Sequence, residues 1–289
     1  MELDKKKLSE RDICTKYITP ALEAAGWDPQ TQFLEELSLT DGRIHVRGNK
    51  TKRGKKQRCD YVLFYKPNIP VAVIEAKDNN HTIGQGMQQA LGYAESLQVP
   101  FVFSSNGDAF QFHDRTISEG EREKEIPLAA FPSPDELWDR YRNWRGLPDS
   151  ARAIVEQDYH SDGSGKRPRY YQLNAVNRTI EAISRGQDRI LLVMATGTGK
   201  TYTAFQIIWR LWKSRVKKRI LFLADRNILV DQTRTNDFKP FGATMTKIGG
   251  RKVDPSYEVL GVAVIPSCVA DSKYSRISRQ AESSDALPR

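Results

Sequence analysis

The 289 residues predict an α/β protein of two domains, and three observations carry that expectation. Helix-like and strand-like segments alternate through the first 130 residues, with polar turns between them. Residues 160–169, HSDGSGKRPR, have the composition of a linker. Beyond them come an apolar run, a glycine loop and an amphipathic helix, the order of a doubly wound parallel sheet with its loop at a strand's carboxyl end. The expected organisation is a first domain over 1–130, a helical connector and linker over 131–168, a second domain over 169–250 and an irregular tail over 251–289.

Each element has its own reason. Residues 8–26 open with Ser9 as a cap and acids in the first turn, keep apolar residues at helical spacing, and end at Gly26, with a bend expected at Pro20. LSLTDGRIHVRG places the turn Asp41-Gly42 between alternating runs, a hairpin signal, and NKTKRGKKQR (49–58) reads as a basic loop. CDYVLFY (59–65) and VAVIEAK (71–77) are strands joined by a turn with Pro67, Asn68 and Pro70. Residues 82–97 are a glycine-containing helix, and 101–114 a hairpin about Asn106-Gly107. SPDELWDRYRNWRG (133–146) starts at a Ser133 cap and Pro134 and is amphipathic. After the linker the order is helix (170–186), buried strand RILLVMA (189–195), glycine loop, helix (200–214), strand (219–225) and helix (226–235). The tail is rich in Ser and Arg, with few core-forming residues, and is expected to be poorly ordered.

With 45 Lys+Arg against 36 Asp+Glu the net charge is +9, which favours a polyanionic partner, nucleic acid first. Cys14, Cys59 and Cys268 match neither a zinc spacing nor a disulfide framework, as in a reducing, cytoplasmic setting. No secretion signal or membrane-spanning run is present, and the four histidines lack the i, i+4 spacing of a metal pair.

VMATGTGKT (193–201) carries the chemistry of the second half. Gly197 and Gly199 let backbone N–H groups approach phosphates at a helix N-terminus, with Thr198 between them; Lys200 adds charge, and the Thr201 hydroxyl suits Mg²⁺. Met194 stands where the common phosphate-loop pattern has Gly. The loop resembles that of superfamily 2 helicases and translocases, matched at Ala195, Gly197, Gly199, Lys200 and Thr201. RPRYYQ, ending in Gln172, resembles the adenine-reading glutamine motif of that superfamily, and LFLADRNILVDQ (221–232) its next motif. Taken singly, Gln172 is a commonplace helix-start residue and Arg226 a solvated charge; their order around the loop gives them weight.

In the first half, Asp60 lies on one strand and Glu75 and Lys77 on the next, where period two sets Glu75 and Lys77 on one face. Two carboxylates can hold hard Mg²⁺ beside a lysine that orients water or offsets developing charge. Read apart from their surroundings, Glu75 and Lys77 would equally serve as a surface ion pair; the apolar strands around them ask for another reason. Gln89 and Tyr93 then fall at i, i+4 on one helix face. The set resembles the PD-(D/E)xK nucleases with a Gln-x-x-x-Tyr helix, Cys59 standing where the motif's name has Pro. Glu10, in the first helix, either reaches a metal as in some relatives or only favours the helix dipole. The basic run before Asp60 is either a solvated loop or a contact for phosphates.

A nuclease domain, a linker and a RecA-like first motor lobe resemble the N-terminal part of the restriction (R) subunit of type I restriction-modification enzymes, over about residues 5–250. That resemblance implies double-stranded DNA as substrate, methylation (M) and specificity (S) subunits as partners, and Mg²⁺ and ATP as cofactors. Asp60, Glu75 and Lys77 would cut, with Gln89 and Tyr93 assisting; Asp60, Glu75 and Thr201 would meet Mg²⁺; Gln172, Gly197, Thr198, Gly199, Lys200 and Thr201 would bind ATP. The second acidic motor motif does not follow Thr201, so ATP binding without hydrolysis is expected, and the odd tail suggests truncation or a shifted reading frame. An ATP-independent Mg²⁺ nuclease, a stand-alone ATPase and a non-catalytic DNA- or complex-binding remnant are the alternatives.

Overall fold

The computed structural model describes residues 4–40, 44–47, 50–53, 56–165, 167–224, 238–247 and 259–263. The chain divides into two compact units, Met1–Leu191 and Leu192–Arg289.

The first unit is built on a six-stranded mixed sheet. Its order is β1 (Phe33–Thr40), β4 (Lys56–Lys66), β5 (Ile69–Ala76), β6 (Phe101–Ser105), β7 (Ala109–Asp114) and β8 (Glu123–Pro127). Strands β5 and β6 run parallel and the other neighbours antiparallel. A parallel pair needs a crossover, and helix α3 (Met87–Leu97) supplies it. Every residue of β5 is buried, because both faces of this central strand are covered. On one face Met87, Ala90, Tyr93, Ala94 and Leu97 of α3 close over Val62, Val73 and Val102.

The N-terminal helix starts at a Ser9–Asp12 capping box as α1 (Glu10–Ile13), widens into a π turn over Cys14–Ile18 and continues as α2 (Thr19–Ala24). Pro20 lacks the N–H that an α-helical turn would use, and the wider turn just before it absorbs the mismatch without ending the helix. Helix α4 (Pro134–Arg145) has the expected cap, Ser133 with Glu136, and stops at Gly146 in the left-handed region, φ +61°. Short helix α5 (Arg152–Val155) follows. Helix α6 (Tyr170–Ser184), the start of the expected second domain, packs on this first unit. Asn174 Nδ2 donates to Ser96 O at 2.8 Å and Asn177 Nδ2 to Asn68 O at 2.9 Å. Tyr141 of α4 donates to Glu181 Oε1 at 2.6 Å, and Arg178 Nη1 to Glu181 Oε2 at 2.6 Å.

The second unit contains α7 (Lys200–Lys213) and a three-stranded parallel sheet, β10 (Met245–Lys247), β11 (Val259–Ala263) and β9 (Ile220–Ala224) in that order. Phe205, Ile208, Phe238, Phe241 and Met245 form its core.

Four expectations are corrected. Residues 189–195 form no strand, and Leu191 and Val193 are 85% and 88% exposed. A buried strand needs neighbours for its backbone, and among the described residues β9, β10 and β11 pair only with one another. Of the basic run 49–58, Lys50–Arg53 form β3, paired with β2 (Ile44–Arg47), and Lys56–Arg58 open β4, where a loop was expected. Backbone N–H and C=O groups pair whatever the side chain, so the charges did not exclude pairing. Residues 82–86 are not helical, with turns over 83–86 and helix from Met87. In the tail, β11 is the middle strand of a sheet rather than irregular chain. A fifth expectation falls as well: the runs on either side of Asp41-Gly42 form no hairpin, since β1 pairs with β4 and β2 with β3. The turn residues Asp41 and Gly42 and the helix expected over 226–235 lie outside the described residues.

Candidate functional site

The register of β4 and β5 sets Tyr61 opposite Ile74; one step along, Asp60 faces Glu75, on the α3 side with Val62 and Val73. Asp60 Oδ2 accepts the Ala76 N–H at 2.8 Å, which orients that carboxylate. Lys77 Nζ donates to Glu75 Oε1 at 2.7 Å and lies 3.8 Å from Glu10 Oε2 of α1. Asp60, Glu75 and Lys77 are thus together, and Glu10 joins them from a separate element.

Glu75 is 2% exposed, and its second oxygen, Oε2, is buried with no hydrogen-bond partner. Burial pushes its carboxyl up to about 8; the neighbouring Asp60 charge acts the same way, and Lys77 offsets only part. Burial also raises the Glu10 carboxyl, against the pull of Lys77. Burial alone would lower Lys77, but its hydrogen bond to Glu75 and the charges of Glu75, Glu10 and Asp60 raise it on balance, so the ammonium stays charged.

Gln89 Nε2 donates to Tyr93 OH at 2.6 Å, as their spacing on α3 requires. The Tyr93 hydroxyl is held above its usual range by burial first, with the Gln89 bond opposing and the charges of Glu75, Cys59 and Asp60 adding. Its oxygen therefore lies within the field of the carboxylate pair. A cleft of about 100 Å³ reaches Asp60 between Glu10, Arg11, Cys14, Glu35, Glu36 and Tyr61. At its edge Glu36 takes φ +58°, a left-handed kink where β1 skips one pairing opposite Asp60 while the register stays the same on either side.

Two neighbours of Glu75 were not expected. Ser104 pairs with it across the β5–β6 register, and Gly86 at the start of α3 donates its N–H to Ser104 Oγ at 3.1 Å. The signal was available in Gly84-Gln85-Gly86, glycines between a strand and a helix, where backbones approach closely.

Among the described residues no three His, Cys, Asp or Glu side chains gather into a metal cluster. The site offers a carboxylate pair, and Mg²⁺ characteristically takes one or two carboxylates and keeps several waters. The orphaned Glu75 Oε2 fits such an ion, since a buried acceptor without a donor is otherwise costly.

In the second unit Gly197 and Gly199 have φ of +79° and +85°, conformations that favour glycine, and Gly199 caps α7 so that Lys200 and Thr201 begin the helix. Thr198 Oγ1 donates to Ala195 O at 2.6 Å. The loop has the shape that leaves N–H groups at a helix start, while the apolar run leading into it is exposed. Gln172 belongs to the first unit, where its Oε1 accepts the Arg169 N–H at 2.9 Å at the head of α6.

Residues 44–121 match the family model of the type I restriction enzyme R protein N terminus, and residues 165–282 match that of the type III restriction enzyme res subunit. Together they mark the chain as similar to restriction-enzyme subunits in both its first and its second half. The type I restriction enzyme EcoAI endonuclease subunit of Escherichia coli is 60% identical over 259 residues, 89% of this chain and 32% of that protein. The EcoKI endonuclease subunit of Escherichia coli strain K12 is 27% identical over 270 residues, 74% of this chain and 22% of that protein. A solved fragment from a type I restriction enzyme of Vibrio vulnificus YJ016 has a TM-score of 0.74 at 38% identity, covering 96% of this chain and 49% of that one. Over most of its length the chain is similar to R subunits of type I restriction enzymes, and it spans about a third or less of the length of the curated relatives it matches. No helix among the described residues is long and apolar enough to cross a membrane.

Proposed function

We propose that the first unit is a PD-(D/E)xK-type nuclease that cleaves double-stranded DNA with Mg²⁺, and that the second is part of a RecA-like superfamily 2 motor lobe that binds ATP. The observation that carries the nuclease reading is the buried, half-unsatisfied Glu75 carboxyl beside Asp60, with Lys77 bonded to it. Asp60 and Glu75 would hold the ion, which when bound would supply Lewis-acid polarisation of the scissile phosphate and a more acidic water. Lys77, kept charged by its neighbours, orients the attacking water or offsets charge on the phosphate. Gln89 fixes the Tyr93 hydroxyl next to the carboxylates. Gly197, Thr198, Gly199, Lys200 and Thr201 serve ATP, with Thr201 suited to its Mg²⁺; for Gln172, in the first unit, the support is only the resemblance of its stretch to the adenine-reading motif. The relatives named above are subunits of type I enzymes, which supports M and S subunits as partners and a cytoplasmic place of action.

Residues 202–289 contain no adjacent Asp-Glu. The 289 residues by themselves are therefore proposed to bind ATP without turning it over. The test is cleavage of supercoiled plasmid by the 289-residue chain with Mg²⁺ and with EDTA, beside Lys200→Ala. Expected are Mg²⁺-dependent nicking unchanged in Lys200→Ala, about tenfold weaker binding of a fluorescent ATP analogue by that variant, the worth of one charge-assisted contact, and no DNA-stimulated phosphate release. A chain inert towards plasmid in Mg²⁺ overturns the nuclease reading, analogue binding unchanged in Lys200→Ala overturns the ATP site, and DNA-stimulated ATPase turnover overturns the expected lack of hydrolysis.

A further inference from the structure

We infer that Gly86 and Ser104 form a seat that fixes the Glu75 carboxylate for the divalent cation, so that the start of α3 is a positioning element of the site; this rests on the nuclease reading above. A Cβ built on Gly86 would lie 2.8 Å from Glu75 Cγ, 2.9 Å from Ser104 Oγ and 3.2 Å from Glu75 Cβ. Real Cβ contacts are essentially never shorter than 3.0 Å, so a side chain at 86 must displace something.

What yields is decided by the surroundings. Gly86 is held by its N–H to Ser104 Oγ, and the Ala90 N–H donates to Gly86 O at 3.0 Å in the first turn of α3. Ser104 is 0% exposed in the middle of the sheet, and its backbone is paired with that of Glu75. The Glu75 backbone is likewise locked in β5. The freest of the three is the Glu75 side chain beyond Cβ. Its Oε1 is bonded to Lys77 and its Oε2 is the orphaned acceptor, so any swing of Cγ moves both oxygens away from Asp60 and Lys77 together. Glycine at 86 is therefore required by the close passage of a helix start over a carboxylate, and not by backbone conformation: the φ of Gly86 is −82°, which any residue adopts. Ser104 acts from the other side, by accepting the one N–H that holds Gly86 in place. Neither residue touches DNA or the ion; both act through Glu75, as outer partners of metal ligands do.

The test uses the whole chain and Mg²⁺ itself. Mg²⁺ affinity is measured by calorimetric titration for wild type, Asp60→Ala, Gly86→Ala and Ser104→Ala, with circular dichroism to show folding and plasmid cleavage resolved into kcat and KM. Gly86→Ala is expected to weaken Mg²⁺ by about tenfold or more, the scale of outer-partner effects on metal sites, and to lower kcat while leaving KM for DNA unchanged. Ser104→Ala adds no bulk, keeps the fold, and is expected to weaken Mg²⁺ in the same direction to a smaller degree. If Gly86→Ala does not fold, Ser104→Ala decides alone. Binding within twofold of wild type in the folded variants overturns the seat. If wild type binds Mg²⁺ no better than Asp60→Ala, the nuclease reading itself fails.

Discussion

Replacing Asp60 by Ala leaves the chain folded and lowers Mg²⁺-dependent plasmid cleavage by ~10²–10³-fold or more, the range lost when one preorganised charge-stabilising group is removed from an active site. The size follows from how little else can substitute. The pair offers two carboxylates, and Glu75 alone is buried and holds its proton near neutral pH. Glu10 is close, but its nearest recorded partner in the site is Lys77, at 3.8 Å. The structural cost is small by comparison. Asp60 accepts a single backbone hydrogen bond, from Ala76, and its loss costs about 1 kcal/mol, or less where water enters from the adjoining cleft. Removing the Asp60 charge also relieves Glu75 of a repulsion. A variant that cleaves within threefold of wild type, with an unchanged melting profile, rules Asp60 out of the chemistry.

Much of this site was readable because its parts are joined by short rules. Period two places Glu75 and Lys77 on one face, a hairpin brings Asp60 to them, and one helical turn sets Gln89 against Tyr93. Each relation spans one element or one turn. The contribution of Gly86 depends on how closely α3 crosses β5, a distance set by the packing of Ala90, Ala94 and Val73, which no local pattern encodes. The left-handed kink at Glu36 escaped for the same reason. Periodicity misjudged residues 189–195 because an apolar run shows that a strand wants burial and not that partners exist for it. Composition misjudged residues 49–58 because charge governs where side chains lie and leaves backbone pairing free. Strand β8, Glu-Lys-Glu-Ile-Pro, is largely exposed, so it has little hydrophobic alternation to read.

Glu75→Gln separates stability from activity in opposite directions. In the unfolded chain Glu75 ionises near 4.5, and in the folded chain only near 8. Below the lower value the carboxyl is protonated in both states and costs nothing. Between the two values the folded state holds a proton that the unfolded state has released, so stability falls as pH rises, and above about 8 the full cost of a buried charge is present. Each pKa unit is worth about 1.4 kcal/mol, so in the absence of divalent ions Gln at 75 should stabilise the first unit by a few kcal/mol at pH 8 and by almost nothing at pH 4. Lys77 reduces the gain, because Gln keeps an acceptor for it but not the ion pair, whereas the lost repulsion with Asp60 adds to it. The same substitution removes an anionic ligand and abolishes cleavage. Mg²⁺ reverses the order in wild type alone: the ion binds the ionised form, so its affinity should rise with pH up to about 8 as the Glu75 proton becomes easier to displace. Urea unfolding at pH 4.5 and 8, with and without Mg²⁺, reads all of these effects. A Glu75→Gln chain less stable than wild type at pH 8 in EDTA would show that the Glu75 carboxyl is not held protonated by its surroundings.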